Sequence, residues 1–146
     1  MSGVKLTDIV EKMNLKNLTP EVDITEREVL VPDVNRPALQ LAGFFDHFDL
    51  NRVQIIGNVE CAYLETLAEE KRVEIYQKLL EHKVPCIIFS NELQPDESFL
   101  ELAEKNDIPV FGTCKKTSSF MGELIRWLNV KLAPCISIHG VLVDVY

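Results

Sequence analysis

Arg52-Val53-Gln54-Ile55-Ile56-Gly57-Asn58-Val59-Glu60 is a short apolar run closed by a glycine and followed at once by helical spacing. Val59, Tyr63 and Leu67 recur every four residues, so the segment reads as a buried strand passing into a helix. Thr66 with Glu69 three residues later has the form of a capping box. It predicts a further helix from near Leu67 that carries Val73, Tyr76, Leu79 and Leu80 and ends by His82. The same alternation continues downstream. Pro85 to Phe89 (PCIIF) and Ile108 to Phe111 (IPVF) are strands, the second broken by Gly112. Between them Pro95, Asp96 and Glu97 open a helix bearing Phe99, Leu100, Leu102 and Ala103, with the acids where the helix dipole favours them. Thr117 or Ser118 then caps a long helix with Met121, Leu124, Ile125, Leu128 and Leu132.

Pro134 separates that helix from Cys135 to Tyr146 (CISIHGVLVDVY), whose alternating Val141, Val143 and Val145 read as a last strand. Because its apolar pattern runs intact to Tyr146, this strand is expected to lead into structure beyond it. From Arg52 onward the order is β, α, β, α, β, α, β, with strands apolar enough to be covered on both faces. The expected fold class is α/β: three layers, a mainly parallel sheet between helices, of the open doubly wound type.

Upstream, Leu6, Ile9, Val10 and Met13 recur at helical spacing after Ser2 and Thr7, predicting a short first helix. Asn14 to Asn35, with Pro20, Pro32 and runs such as Glu28 to Val31, reads as brief strands and turns. Asn35 as N-cap before Pro37 starts a second helix whose stripe is Ala38, Leu41, Ala42 and Phe45.

The 146 residues suit one domain, or one domain with a connecting element. No run of about 18 uncharged apolar residues exists to span a bilayer. Asp8 and Glu11 inside the first apolar pattern are wrong for a secretory or transit segment, so a cytoplasmic location is expected. Fifteen basic and 23 acidic residues give a net charge of −8. The only basic pairs are Lys71-Arg72 and Lys115-Lys116, so nucleic acid is disfavoured as a partner.

Cys61, Cys86, Cys114 and Cys135 form no C-x-x-C pair, which removes zinc-knuckle and thioredoxin-like readings. Cys86 and Cys135 read as buried small hydrophobes and Cys114 as the exposed one. His47 reads as a packed side chain, His82 as a helix-end cation, and His139 as a strand histidine, with no ligand spacing among them. No metal site is expected.

Open parallel sheets bind ligands at the carboxyl ends of their strands. That directs attention to Gly57 to Glu60, Ser90 to Glu92, and Gly112 to Ser119. In the last of these, Lys115, Lys116, Thr117 and Ser118 form a possible anion site just before a helix N-terminus. The alternative is a plain cap with solvated lysines. No phosphate-binding G-x-x-x-x-G-K-[ST] loop, G-x-G-x-x-G, H-E-x-x-H or G-x-S-x-G occurs.

Asn35 to Phe45 (NRPALQLAGFF), Arg52 to Glu60 (RVQIIGNVE), and Leu132-Ala133-Pro134 through His139-Gly140 to Tyr146 together resemble the N-terminal region of HPr kinase/phosphorylase. The resemblance implies a cytoplasmic bacterial enzyme that uses ATP and Mg²⁺ to phosphorylate a serine of the phosphocarrier HPr, and phosphate to remove it, in carbon catabolite control. It implies a hexamer, and a P-loop beginning a few residues past the position of Tyr146. On that reading residues 1–133 are an N-terminal α/β domain without cofactors of its own, and residues 134–146 are the first strand of a P-loop kinase domain. The resemblance makes His139 the one catalytic residue here, inactive without the rest of that domain. Trp127, Phe44 and Phe48 are candidate assembly contacts. A small-ligand regulatory module for phosphorylated metabolites or nucleotides is the alternative function.

Overall fold

The computed structural model describes residues 3–133. The expected final strand, with Cys135 and His139, lies outside the described residues.

Among the described residues seven strands and six helices follow in order: β1 (Val4–Lys5), α1 (Leu6–Met13), β2 (Lys16–Asn17), β3 (Glu28–Val29), β4 (Val34–Asn35), α2 (Ala38–Leu41), β5 (Val53–Ile56), α3 (Asn58–Glu65), α4 (Glu69–Leu80), β6 (Ile87–Phe89), α5 (Glu97–Lys105), β7 (Val110–Gly112) and α6 (Thr117–Leu132). β1 and β3 form a small antiparallel ladder. The main sheet has the order β2-β7-β6-β5-β4, parallel throughout except for the antiparallel edge strand β2. The chain is therefore α/β with a mainly parallel sheet between helices.

Strands β4 to β7 follow one another in chain order across the sheet. Successive crossovers of one hand then stack their helices on one face. Accordingly Ile56, Ile87, Phe89 and Val110 pack with Leu41, Leu64, Tyr76, Leu79 and Phe99 from α2 to α5. The alternate side chains Val53, Ile55, Ile88 and Phe111 pack on the other face with Ile9 and Met13 of α1 and Phe120, Leu124 and Leu128 of α6.

Several local expectations change. Thr66 does not cap α4: its hydroxyl donates to the Tyr63 carbonyl at 2.6 Å and it ends α3, while Ala68 precedes α4. The box arises one helix earlier, where Glu60 accepts from the Gly57 N–H at 2.9 Å. The face of α3 also turns over: Val59 is 67% exposed, whereas Glu60 and Leu64 are buried. A charged residue is drawn inward because a cation waits there, described below. The second helix begins after Pro37 rather than Asn35 and lasts four residues, since Asn35 stays in β4 and its amide donates to Gln54 at 2.7 Å and Gln40 at 3.1 Å. Gly112 continues β7, paired with Lys16, instead of breaking it.

His47 departs from its expected packing, whereas His82 keeps its helix-end place and is packed as well. His47 is exposed at φ 63°, and His82 is the packed one, stacked on Phe45 at 4.5 Å between centroids with its Nδ1 donating to the Lys78 carbonyl. Cys86 is fully buried and burial alone pushes its thiol up to about 12, while Cys114 is exposed.

Candidate functional site

Four parallel strands deliver their carboxyl ends to one rim: Arg36 follows β4, Gly57 follows β5, Ser90 and Asn91 follow β6, and the turn before α6 follows β7. All three segments singled out from the sequence meet here. Arg36 Nη2 donates to Glu60 Oε1 at 2.6 Å, and that same oxygen holds the Gly57 N–H. Glu60 is 2% exposed and Arg36 34%, so the pair is lopsided, with the carboxylate enclosed and the guanidinium reaching water. Arg36 Nε is buried without a partner among the described residues.

Gly57 is required by space. A Cβ there would stand 2.6 Å from Arg36 Nη2 and 2.7 Å from Thr117 Oγ1. The strand end must come this close for α3 to start under Arg36.

Thr117 opens α6 as its first residue, after Lys116 in extended conformation, and neither it nor Ser118 supplies a side-chain cap. Its hydroxyl instead lies 2.6 Å from the Ser90 hydroxyl and accepts from Asn91 Nδ2 at 3.1 Å. Ser90 donates to the Ile56 carbonyl at 3.3 Å. One direction satisfies every group: Asn91 amide to Thr117, Thr117 to Ser90, Ser90 to the carbonyl that ends β5. Such a relay fastens three strand ends together. Among the described residues no base accepts a proton from either hydroxyl, so the relay activates neither as a nucleophile.

The remaining members of the expected anion group are divided. The Lys115 ammonium is 2.7 Å from Glu123 Oε1, a hydrogen bond that lowers the Glu123 pKa. Lys116 and Ser118 are exposed at the start of α6. No cluster of three metal-ligating side chains occurs among the described residues. No helix among them is long and apolar enough to cross a membrane.

Beside this rim, under α3, lies a cavity of about 290 Å³. Its apolar wall is Ile56, Leu64, Phe89 and Phe99, from two strand ends and two helices. Its polar wall is Tyr76, Arg72 and Asp96. The Tyr76 hydroxyl donates to Asp96 Oδ2 at 2.5 Å, Arg72 Nε to the same oxygen at 3.2 Å, and Arg72 Nη1 to the Leu67 carbonyl at 2.7 Å. Burial, then the bond to Asp96, pushes the Tyr76 phenol well above its usual range. Cys61 also borders the space, and burial followed by Glu60, Glu65 and Asp96 raises its thiol to about 11. Neither group is poised to ionise near neutrality.

Sequence reasoning passed over the Arg36–Glu60 pair and the cavity. Glu60 three residues after Gly57 was the available signal for the pair, since an acid at that position reaches back to the preceding N–H. The cavity had no such signal, because its walls come from six separate elements and a loop.

The model of the HPr serine kinase N terminus matches residues 4–128. An HPr kinase/phosphorylase of Lachnoclostridium phytofermentans is 57% identical over 146 residues, covering 100% of this chain and 47% of its own length. That of Caldicellulosiruptor bescii is 43% identical over 138 residues, covering 94% and 44%, and that of Bacillus subtilis 34% identical over 146 residues, covering 100% and 47%. The chain thus spans about half the length of the curated relatives it matches. Among solved structures, the CBS and DRTGG domains of the regulatory region of Clostridium perfringens pyrophosphatase, complexed with the activator diadenosine tetraphosphate, align with TM-score 0.60 at 22% identity. That alignment covers 86% of this chain and 47% of the other, and it shows a shared fold.

Proposed function

The chain belongs to the family of the HPr serine kinase N terminus, and from that premise we propose that it acts as the non-catalytic N-terminal domain of a bifunctional HPr kinase/phosphorylase. The parent enzyme phosphorylates a serine of HPr with ATP and Mg²⁺ and removes the phosphate with inorganic phosphate, in the cytoplasm, as a hexamer serving carbon catabolite control. The observation that carries this reading is 57% identity across all 146 residues to an HPr kinase/phosphorylase about twice as long.

The division of labour within that enzyme has separate support. The family model ends at residue 128, whereas the similarity to full relatives runs on through residue 146. This favours residues 1–133 as the α/β domain and residues 134–146 as the first strand of the catalytic domain, with His139 as its contribution to the active site. ATP and Mg²⁺ belong to that second domain.

The test is a phosphorylation assay with HPr, ATP and Mg²⁺. The 146-residue chain alone is expected to give no phospho-HPr, and the same chain continued by the C-terminal half of its parent enzyme is expected to give it. His139→Ala in the longer protein should lower turnover while leaving the α/β domain folded. Turnover by the 146 residues alone above an enzyme-free blank would sink the reading.

A further inference from the structure

The cavity under α3 is unused by the kinase reading and lies beside the carboxyl ends of β5 and β6, where Ile56 and Phe89 border it. Its size sets the ligand. A cavity of about 150 Å³ holds a benzene, so one of about 290 Å³ suits a bicyclic ring with a short arm. Ile56, Leu64, Phe89 and Phe99 supply the apolar wall, all at most 7% exposed. The Phe99 ring stands edge-on to both Tyr76 and Phe89, at 5.0 and 5.3 Å between centroids, so the wall is itself aromatic and rigid.

Charge sets the rest. Two carboxylates, Glu65 and Asp96, face one guanidinium, Arg72, whose Nε and Nη1 are already engaged. Asp96 takes both of its hydrogen bonds on Oδ2, leaving Oδ1 without one among the described residues. An anion is thereby disfavoured, and a cation gains a carboxylate at the edge of an apolar space.

We propose that this cavity binds a small bicyclic aromatic molecule bearing a protonated amine, its ring against Leu64, Phe89 and Phe99 and its nitrogen on Asp96. The site is distinct from the exposed Lys116 and Ser118 at the start of α6, which would favour ligands of opposite charge. It is also independent of the kinase reading, because binding to this chain is measured whether or not a parent enzyme phosphorylates HPr.

Titration of the isotopically labelled 146-residue chain with tryptamine, followed by NMR, tests it. Saturable shifts are expected at Leu64, Tyr76, Phe89 and Phe99, with indole-3-acetate, the same ring carrying a carboxylate, at least about tenfold weaker. Asp96→Asn should erase the preference for the amine, and Glu65→Gln, at the exposed rim, should reduce it about twofold to threefold. Should Asp96→Asn fail to fold by circular dichroism, the Glu65→Gln comparison and the pair of ligands still decide. Absence of saturable tryptamine shifts at millimolar concentration, equal affinity for indole-3-acetate, or shifts confined to residues away from the cavity would overturn the proposal.

Discussion

On one face of the main sheet the 16-residue α6 lays Phe120, Leu124 and Leu128, each fully buried, across Val53, Ile55, Ile88 and Phe111, with Ile9 and Met13 of the shorter α1 beside it. On the other, four shorter helices of 4 to 12 residues share the covering, and between them a cavity of about 290 Å³ persists. The same strands supply both faces, with similarly apolar side chains. The difference lies in what covers them: the long α6 carries an unbroken apolar stripe beside α1, whereas on the other face several short helices meet at ends, and ends carry polar groups that resist close packing. The cavity walled by core side chains therefore lies on the α3 face, whereas the groove bounded by β1, α1 and Trp127 of α6 is open and lined mainly by charged side chains.

Matched truncations on the two faces probe this most strongly. Leu124→Ala should cost about 4 kcal/mol in urea denaturation, and Leu64→Ala about 2 kcal/mol, because Leu64 already borders open space and loses fewer contacts. Equal costs would break the contrast. Next in size, Glu60→Ala deprives Arg36 of its partner and Gly57 of its cap. Because Arg36 is a third exposed, the loss should be about 2 kcal/mol rather than that of a fully enclosed pair, read in the same experiment.

The thiols sharpen the comparison in another way. Cys86 on the α6 face is pushed to about 12 and Cys61 on the α3 face to about 11, both from 9.0. Since the folded chain holds these protons longer than the unfolded chain, the stability they contribute is whole below pH 9.0. It falls as pH rises towards 11 and then 12. Alkylation mapped by mass spectrometry over rising pH should therefore label exposed Cys114 first, then Cys61, then Cys86. The smallest effect is expected at the Lys71–Glu74 pair, exposed by 57% on both sides, where Lys71→Ala should leave the urea midpoint unchanged.

Much of this architecture was readable in advance. The runs RVQII, PCIIF and IPVF became β5, β6 and β7, because an all-apolar run of that length is stable only when covered on both faces. Helix α5 follows its acids at Asp96 and Glu97, and the stripe of α6 packs where its period puts it. The failures share a cause. Val59 and Tyr63 recur at helical spacing as well as Glu60 and Leu64 do, and only the presence of Arg36 chooses between the two faces. Thr66 and Glu69 fit a capping pattern, but Thr66 was already committed to ending the previous helix.

At the rim, sequence reasoning located the three loops without their wiring. Thr117 was a cap by local rules and became the central hydroxyl of a relay, because Ser90 and Asn91 offer it better-enclosed partners than its own helix does. The family resemblance rested on NRPALQLAGFF, RVQIIGNVE and the stretch from Leu132 to Tyr146, and the family model matches residues 4–128.

Alternation of apolar runs and amphipathic periods is a local property, so the amino-acid sequence by itself determined the elements, the layered α/β class and the family. Which side of α3 turns inward, which hydroxyl meets which, and where a cavity remains were decided only in the tertiary structure. Those outcomes join residues 24 to 27 positions apart, as in Arg36 with Glu60 and Ser90 with Thr117. They depend on how strand ends are brought together in space, which spacing along the chain does not specify.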